Sequence, residues 1–287
     1  MLGMHINAMR AFINDHPIVI DEQLTTSGIN RKNFKPETEG TSKLYIDTLA
    51  NTNDPQTGIP YVSAATVFVS HAWTYRFYDV VVKCMEQYTV TNPNAYFWFD
   101  LFTNDQNSVA NKDFEWFSST FGNGVREIGQ VLLVLSPWND PIPITRSWCL
   151  FEIHNALEES MVNLSIDIPD TEVVELREGV IKSSDSIIQI LTDIQAEKAT
   201  ATSAADKEMI FQVIRESSDG FPRVNQEVKK ELRSWYIDKL KGLIKVEPEN
   251  PNFLMQCTGV MQNFGYYDEA LDSPLQCNQI VYWYPWR

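Results

Sequence analysis

The feature that most constrains this fold is a series of short apolar runs, each followed by a segment whose apolar residues recur every three or four positions. QVLLVLSPW (130–138) is the strongest, with TVFVS (66–70), AYFWFDLF (95–102) and VNLSIDIP (162–169) beside it. Nearly uninterrupted apolar runs suit strands buried on both faces. Between them, YRFYDVVVKCMEQY aligns Phe77, Val80, Val81, Cys84 and Tyr88 on one helical face. NKDFEWFSSTFGNGVREIG aligns Phe114, Phe117, Phe121, Val125 and Ile128, with Gly122 and Gly124 as candidate breaks. Strands alternating with helices predict an α/β fold, a flavodoxin-like three-layer sandwich with a mostly parallel sheet of about five strands.

The last strand is expected within SIIQILTDI (186–194). TEVVELREGVIKSS reads as a helix, SAAD at Ser203 has the form of a capping box opening another through MIFQVIRES, and KELRSWYIDKL is amphipathic. The α/β unit is assigned to residues 62–245. Residues 1–61, whose stretch from Thr25 to Pro60 is rich in Thr, Asn, Gly and Pro, form an extension that wraps or leads into it. In residues 246–287, Gly259, Gly265, Tyr267 and Ala270 are spaced as in a tetratricopeptide repeat, which this stretch resembles, with Pro274 interrupting the second helix. A single repeat cannot bury its own face, so this segment either docks on the preceding domain or begins an array that engages protein partners.

A net charge of −15, from 23 basic and 38 acidic residues, disfavours nonspecific binding to nucleic acid or to an anionic membrane. Cys84, Cys149, Cys257 and Cys277 form no CxxC pair and have no His cluster beside them, so no metal site or disulfide framework is suggested. The N-terminus lacks a signal-peptide pattern, and no window approaches the roughly 18 apolar residues of a membrane span. The expected setting is cytoplasmic.

In parallel α/β sheets, ligands bind beyond the carboxyl ends of the strands. Ser70, Asp100 and Ser136 sit at such ends and mark the expected site. GxGxxG, GxxxxGK[ST] and GxSxG are all missing, which leaves phosphate-loop and serine-hydrolase readings without support.

The order of these pieces resembles the TIR domain, the Toll, interleukin receptor and plant resistance protein module. VFVSHAW (67–73) is similar to that family's first box, AYFWFDLF to its second strand ending on an acid, and Ser147-Trp148-Cys149-Leu150-Phe151-Glu152-Ile153 to its Ser-x-Trp-Cys-Leu-x-Glu-Leu helix. Two departures stand out: His71-Ala72-Trp73 where many members carry an aromatic and Arg, and TNDQNSVANKDFEWF in place of a Gly-containing loop.

The resemblance implies that Glu152 is catalytic in cleaving the nicotinamide–ribose bond of NAD, with NAD as substrate rather than cofactor, in a stress, immune or defence signalling role. Ser70, His71, Trp73, Asp100, Ser136, Arg146 and Trp148 are then the substrate-binding candidates. A carboxylate beside the ribose stabilises an oxocarbenium-like centre. Trp148, four residues before it, offers an aromatic face to a cationic ring. Arg146 suits the pyrophosphate, as do backbone N–H groups at the start of the helix after the first strand. The alternative function is a noncatalytic module acting by self-association.

Each residue also has a plainer explanation. Glu152 complements a helix dipole if it lies in a first turn, Trp148 packs in a core, His71 is a core or capping histidine, and Asp100 caps a turn. The loop SPWNDPIPIT, stiffened by Pro137, Pro141 and Pro143, either presents Trp138, Ile142 and Ile144 to another copy or anchors them in its own domain.

Overall fold

Alternate residues of the apolar runs point to opposite sides of one sheet, and helices cover both sides. The computed structural model describes residues 1–40, 44–109 and 112–267. Six strands, β1 (Leu2–His5), β2 (Val62–Ala64), β3 (Val67–Ser70), β4 (Tyr96–Trp98), β5 (Gln130–Val134) and β6 (Asn163–Asp167), lie in the order β2-β1-β4-β3-β5-β6. The last four in that order are parallel, with Phe68 opposite Trp98 on one side and Val131 on the other. Phe68, Trp98, Val131 and Leu133 join the core on one face, and Val67, Val69, Phe97, Leu132 and Val134 join the core on the other.

The helices of nine residues or more are α1 (Ile6–Asp15), α2 (Lys83–Thr91), α3 (Phe114–Ile128), α4 (Ser147–Glu158), α5 (Asp170–Lys182), α6 (Asp185–Asp193), α7 (Ala204–Glu216), α8 (Gly220–Val246) and α9 (Pro251–Asn263). A six-residue π-helical stretch, Phe77–Val82, runs into α2. Asp113 caps α3 by accepting the Trp116 N–H at 2.9 Å, and Gly122 and Gly124 lie buried within that helix rather than breaking it. Ser203 caps α7 in the same way, through the Asp206 N–H at 3.2 Å.

Two expectations are corrected. The sheet is six-stranded and mixed rather than about five-stranded, because β1 in the N-terminal segment and β2 directly after it add two antiparallel pairings to the four parallel strands. β1 runs antiparallel to both β4 and β2, pairing Met4 with Phe97 and Leu2 with Ala64. This segment therefore belongs to the sheet: Met4, Phe12 and Phe34 are buried in the core that also holds Val67 and Leu132. In addition, SIIQILTDI is helical, as α6. Its buried Ile187 and Leu191 are one helical turn apart and give it one apolar face.

At the other end, α9 packs against α5 and α8 and buries Phe253, Leu254, Cys257, Val260 and Met261. The repeat-like helix is thus docked on its own chain, while Ala270, Pro274, Cys277 and the aromatic tail lie outside the described residues. Among the described residues, no helix is long and apolar enough to cross a membrane.

Candidate functional site

Glu152 sits in the second turn of α4, a helix with no acid in its first turn. The dipole effect fades within the first turn, so it does not explain the residue. Glu152 is also buried, at 6% exposure. Ser70 ends β3 two positions after Phe68 and so faces the same side of the sheet, the side covered by α4. Its hydroxyl donates to Glu152 Oε2 at 2.5 Å. Strand alternation and helix packing together bring the two residues into contact across 82 positions of sequence.

Beside this pair lies a cavity of about 540 Å³ whose lining includes His71, Trp73, Asp100, Arg146, Trp148 and Glu152. Six of the eight sequence candidates thus share one cavity, and a seventh, Ser70, bonds to Glu152.

The electrostatics follow from burial. Desolvation pushes the Glu152 pKa up to about 8; the Ser70 hydrogen bond opposes the shift and the Asp100 charge adds to it. Asp100 is pushed up to about 6 by the same desolvation, against hydrogen bonds from Trp73 and the Leu101 backbone. The Trp73 indole donates to Asp100 Oδ2 at 2.7 Å, while Oδ1 is buried without a hydrogen-bond partner. His71 is driven down to about 3 by burial and is neutral, with Nε2 3.2 Å from Thr26 Oγ1 and its ring stacked on Phe99 at 4.6 Å. It is a core histidine that also borders the cavity.

Trp148 belongs to an aromatic group with Phe114, Phe117, Phe121 and Phe151, at ring separations of 5.2 to 6.0 Å from its own. Its indole N–H donates to Asp206 Oδ2 at 3.3 Å. Arg146 is half-buried, and its guanidinium donates to Thr202 Oγ1 at 3.4 Å.

Ser136 is outside the cavity. Beyond β5 the chain turns toward α5 and α8: the Ser136 N–H donates to the Tyr75 hydroxyl at 2.9 Å, and its own hydroxyl donates to Glu172. Glu172 also accepts the Trp138 N–H at 2.7 Å, and Tyr236 donates to the Trp138 carbonyl at 2.7 Å. Trp138 and Ile144 are therefore buried, at 5% and 8% exposure, and Ile142 packs half-buried against the core. The loop is anchored within its own chain, which removes the expectation that it offers these side chains to another copy. The helix start after β3 is also unavailable to phosphate at its first N–H, because Phe77 donates to the Leu24 carbonyl at 2.9 Å.

Ser27, Asn104, Gln106 and Thr202, none of them a candidate from the sequence, also line the cavity. Asn104 and Gln106 lie in the loop that departs from the TIR pattern, a signal that something local differs there. Ser27 and Thr202 carry no motif and reach the site only through tertiary contacts.

Fold and site together define an α/β protein with a carboxylate-lined, aromatic-walled cavity at the carboxyl ends of its parallel strands. Comparison with protein-family models, curated proteins and solved structures returned no match for this chain.

Proposed function

We propose that the protein is a TIR-like NAD nucleosidase that breaks the bond between nicotinamide and ribose. The observation that carries this reading is Glu152, buried against Ser70 in a cavity shared with Trp73, Asp100, Arg146 and Trp148. In the reaction, the C1′–N bond breaks with both electrons leaving on the ring nitrogen, so nicotinamide departs neutral and needs no strong general acid. Positive charge grows on the ribose, where an ionised Glu152 stabilises it. Water then supplies the hydroxyl at C1′ and releases a proton, giving ADP-ribose; attack by a group within the substrate gives a cyclised product instead.

The protonation state fits a cationic ligand. In the free cavity Glu152 is held mostly neutral at pH 7, since burial lifts its pKa to about 8. A pyridinium ring entering the same low-dielectric space lowers that pKa, and the carboxylate forms when its partner arrives. Trp73 and Trp148 offer aromatic faces to the ring. Arg146, partly exposed and bonded to a neutral hydroxyl, is free to hold a pyrophosphate oxygen.

The test is incubation of the purified full chain with NAD, with nicotinamide measured by chromatography and Glu152→Gln as the control. Release that depends on Glu152 is expected. Lack of release at high protein concentration overturns the enzyme reading in favour of a noncatalytic, self-associating module.

A further inference from the structure

The segment from Leu24 to Phe34 lies in the N-terminal extension, ahead of every motif the site was built from, yet it reaches the cavity. Thr25 forms a bridge with Arg76. The Thr26 N–H donates to the Tyr75 carbonyl at 3.0 Å, and the Ser27 N–H donates to the Trp73 carbonyl at 3.0 Å. The Ser27 hydroxyl donates to the same Trp73 carbonyl at 3.2 Å, while Thr26 Oγ1 contacts His71 Nε2. Asn30, buried, donates to Gln106 Oε1 at 3.2 Å. Gln106 in turn donates to the carbonyls of Asp100, Leu101 and Asn104 at 2.8 to 3.3 Å. The segment therefore grips both loops that carry the cavity's polar wall, the one with His71 and Trp73 and the one with Asp100.

We infer that this segment is a wall of the substrate site, with Ser27 touching NAD at the cavity rim and Thr26 and Asn30 as positioning residues acting through His71 and Gln106. The inference rests on the nucleosidase reading for the identity of the ligand. Ser27 is exposed and lines the cavity, whose uncharged hydroxyl and amide lining also includes Thr74, Asn104, Gln106 and Thr202. Such groups match ribose hydroxyls and a carboxamide rather than phosphate, for which the cavity lining offers Arg146. Neither Thr26 nor Asn30 touches the ligand. Their bonds fix the loop that presents the Trp73 indole to Asp100, so losing them loosens the geometry without removing a reacting group.

The test uses ligand protection of an introduced thiol. Ser27→Cys is made in the Glu152→Gln background, so that NAD is bound and not consumed, and alkylation by N-ethylmaleimide is timed with and without saturating NAD. Cys84, Cys149 and Cys257 are buried, and the parent without Ser27→Cys sets the background labelling. Val90→Cys, at an 82% exposed position away from the cavity, is the unprotected control. NAD is expected to slow alkylation at position 27 at least tenfold and to leave position 90 unchanged. Alkylated Ser27→Cys with Glu152 intact is expected to lose nicotinamide release through a raised KM. For the positioning role, Thr26→Val is expected to lower kcat/KM several-fold, and Thr26→Ser, which keeps the hydroxyl, to restore it. Equal alkylation rates with and without NAD overturn the inference while the nucleosidase reading stands. A wild-type chain that neither binds nor cleaves NAD overturns that reading and takes this inference with it.

Discussion

Burial holds Glu152 in a protonation state that makes the folded chain's stability fall as the pH rises. Its folded pKa of about 8 lies above the ordinary 4.5, so between those values the folded chain holds a proton that the unfolded chain has lost. Stability from this group is therefore full below about pH 4.5 and declines until the pH passes about 8. Glu152→Gln keeps the shape and a hydrogen-bonding oxygen for Ser70 without the ionisation. Its melting temperature is expected to exceed that of wild type by several degrees at pH 8.5, with the gap closing toward pH 5, as followed by circular dichroism. Nicotinamide release should fall in the same variant by roughly two to three orders of magnitude, the scale of losing one preorganised electrostatic partner. In wild type, kcat/KM is expected to rise with pH through a midpoint near 8, because it reports the free enzyme, in which Glu152 must lose its proton. A flat profile together with unchanged turnover in Glu152→Gln removes Glu152 from the mechanism.

Packing between elements leaves two places where a single methyl group has nowhere to go. A Cβ on Gly3 of β1 would lie 2.9 Å from backbone atoms of both Ala65, in the short connection between β2 and β3, and Tyr96 of β4, and neither can retreat without disturbing the adjoining strands. On α5, a Cβ on Gly179 would lie 2.4 Å from the Trp138 ring, whose backbone is held from both sides by Glu172 and Tyr236. Gly3→Ala and Gly179→Ala are each expected to lower stability by about 1–3 kcal/mol, read as a lower urea midpoint with an unchanged slope. Gly179→Ala should also reduce turnover, because the displaced loop leads directly into α4. The elements differ in how plainly the sequence announces them. β3 to β6 and α3 were legible because apolar runs and helical stripes are local signals. β1 was not: four residues, one of them Gly3, make no run, and the strand exists because Met4 pairs with Phe97 across the sheet. SIIQILTDI is mixed in its local pattern, and the fold follows the spacing of Ile187 and Leu191, one helical turn apart. The site divides in the same way: Glu152, Ser70 and Asp100 were readable from the order of their motifs, whereas Ser27 is held near Trp73 by bonds spanning 46 positions.

At the scale of the whole molecule, the question is whether a second copy is needed to complete the cavity. The cavity lining draws on widely separated parts of the chain, including the N-terminal segment and the loop before α7. The loop best suited to carry a neighbour's contact is instead anchored inward, with Trp138 and Ile144 buried. Large exposed apolar side chains such as Val90 on α2, Met161 in the turn between α4 and β6, and Met255 on α9 lie in different parts of the fold, and isolated apolar residues are ordinary on a protein surface. A net charge of −15 adds mutual repulsion between copies, strongest at low ionic strength. Nicotinamide release per molecule is therefore expected to stay constant across a dilution series, at both low and moderate salt. A site shared between copies with a Kd of about 1 µM would instead lose most of its specific activity below that concentration. It would also respond to salt, which screens the repulsion and promotes assembly. Specific activity that climbs with protein concentration, and climbs further with added salt, places part of the working site on a second copy and on a surface other than the 136–145 loop.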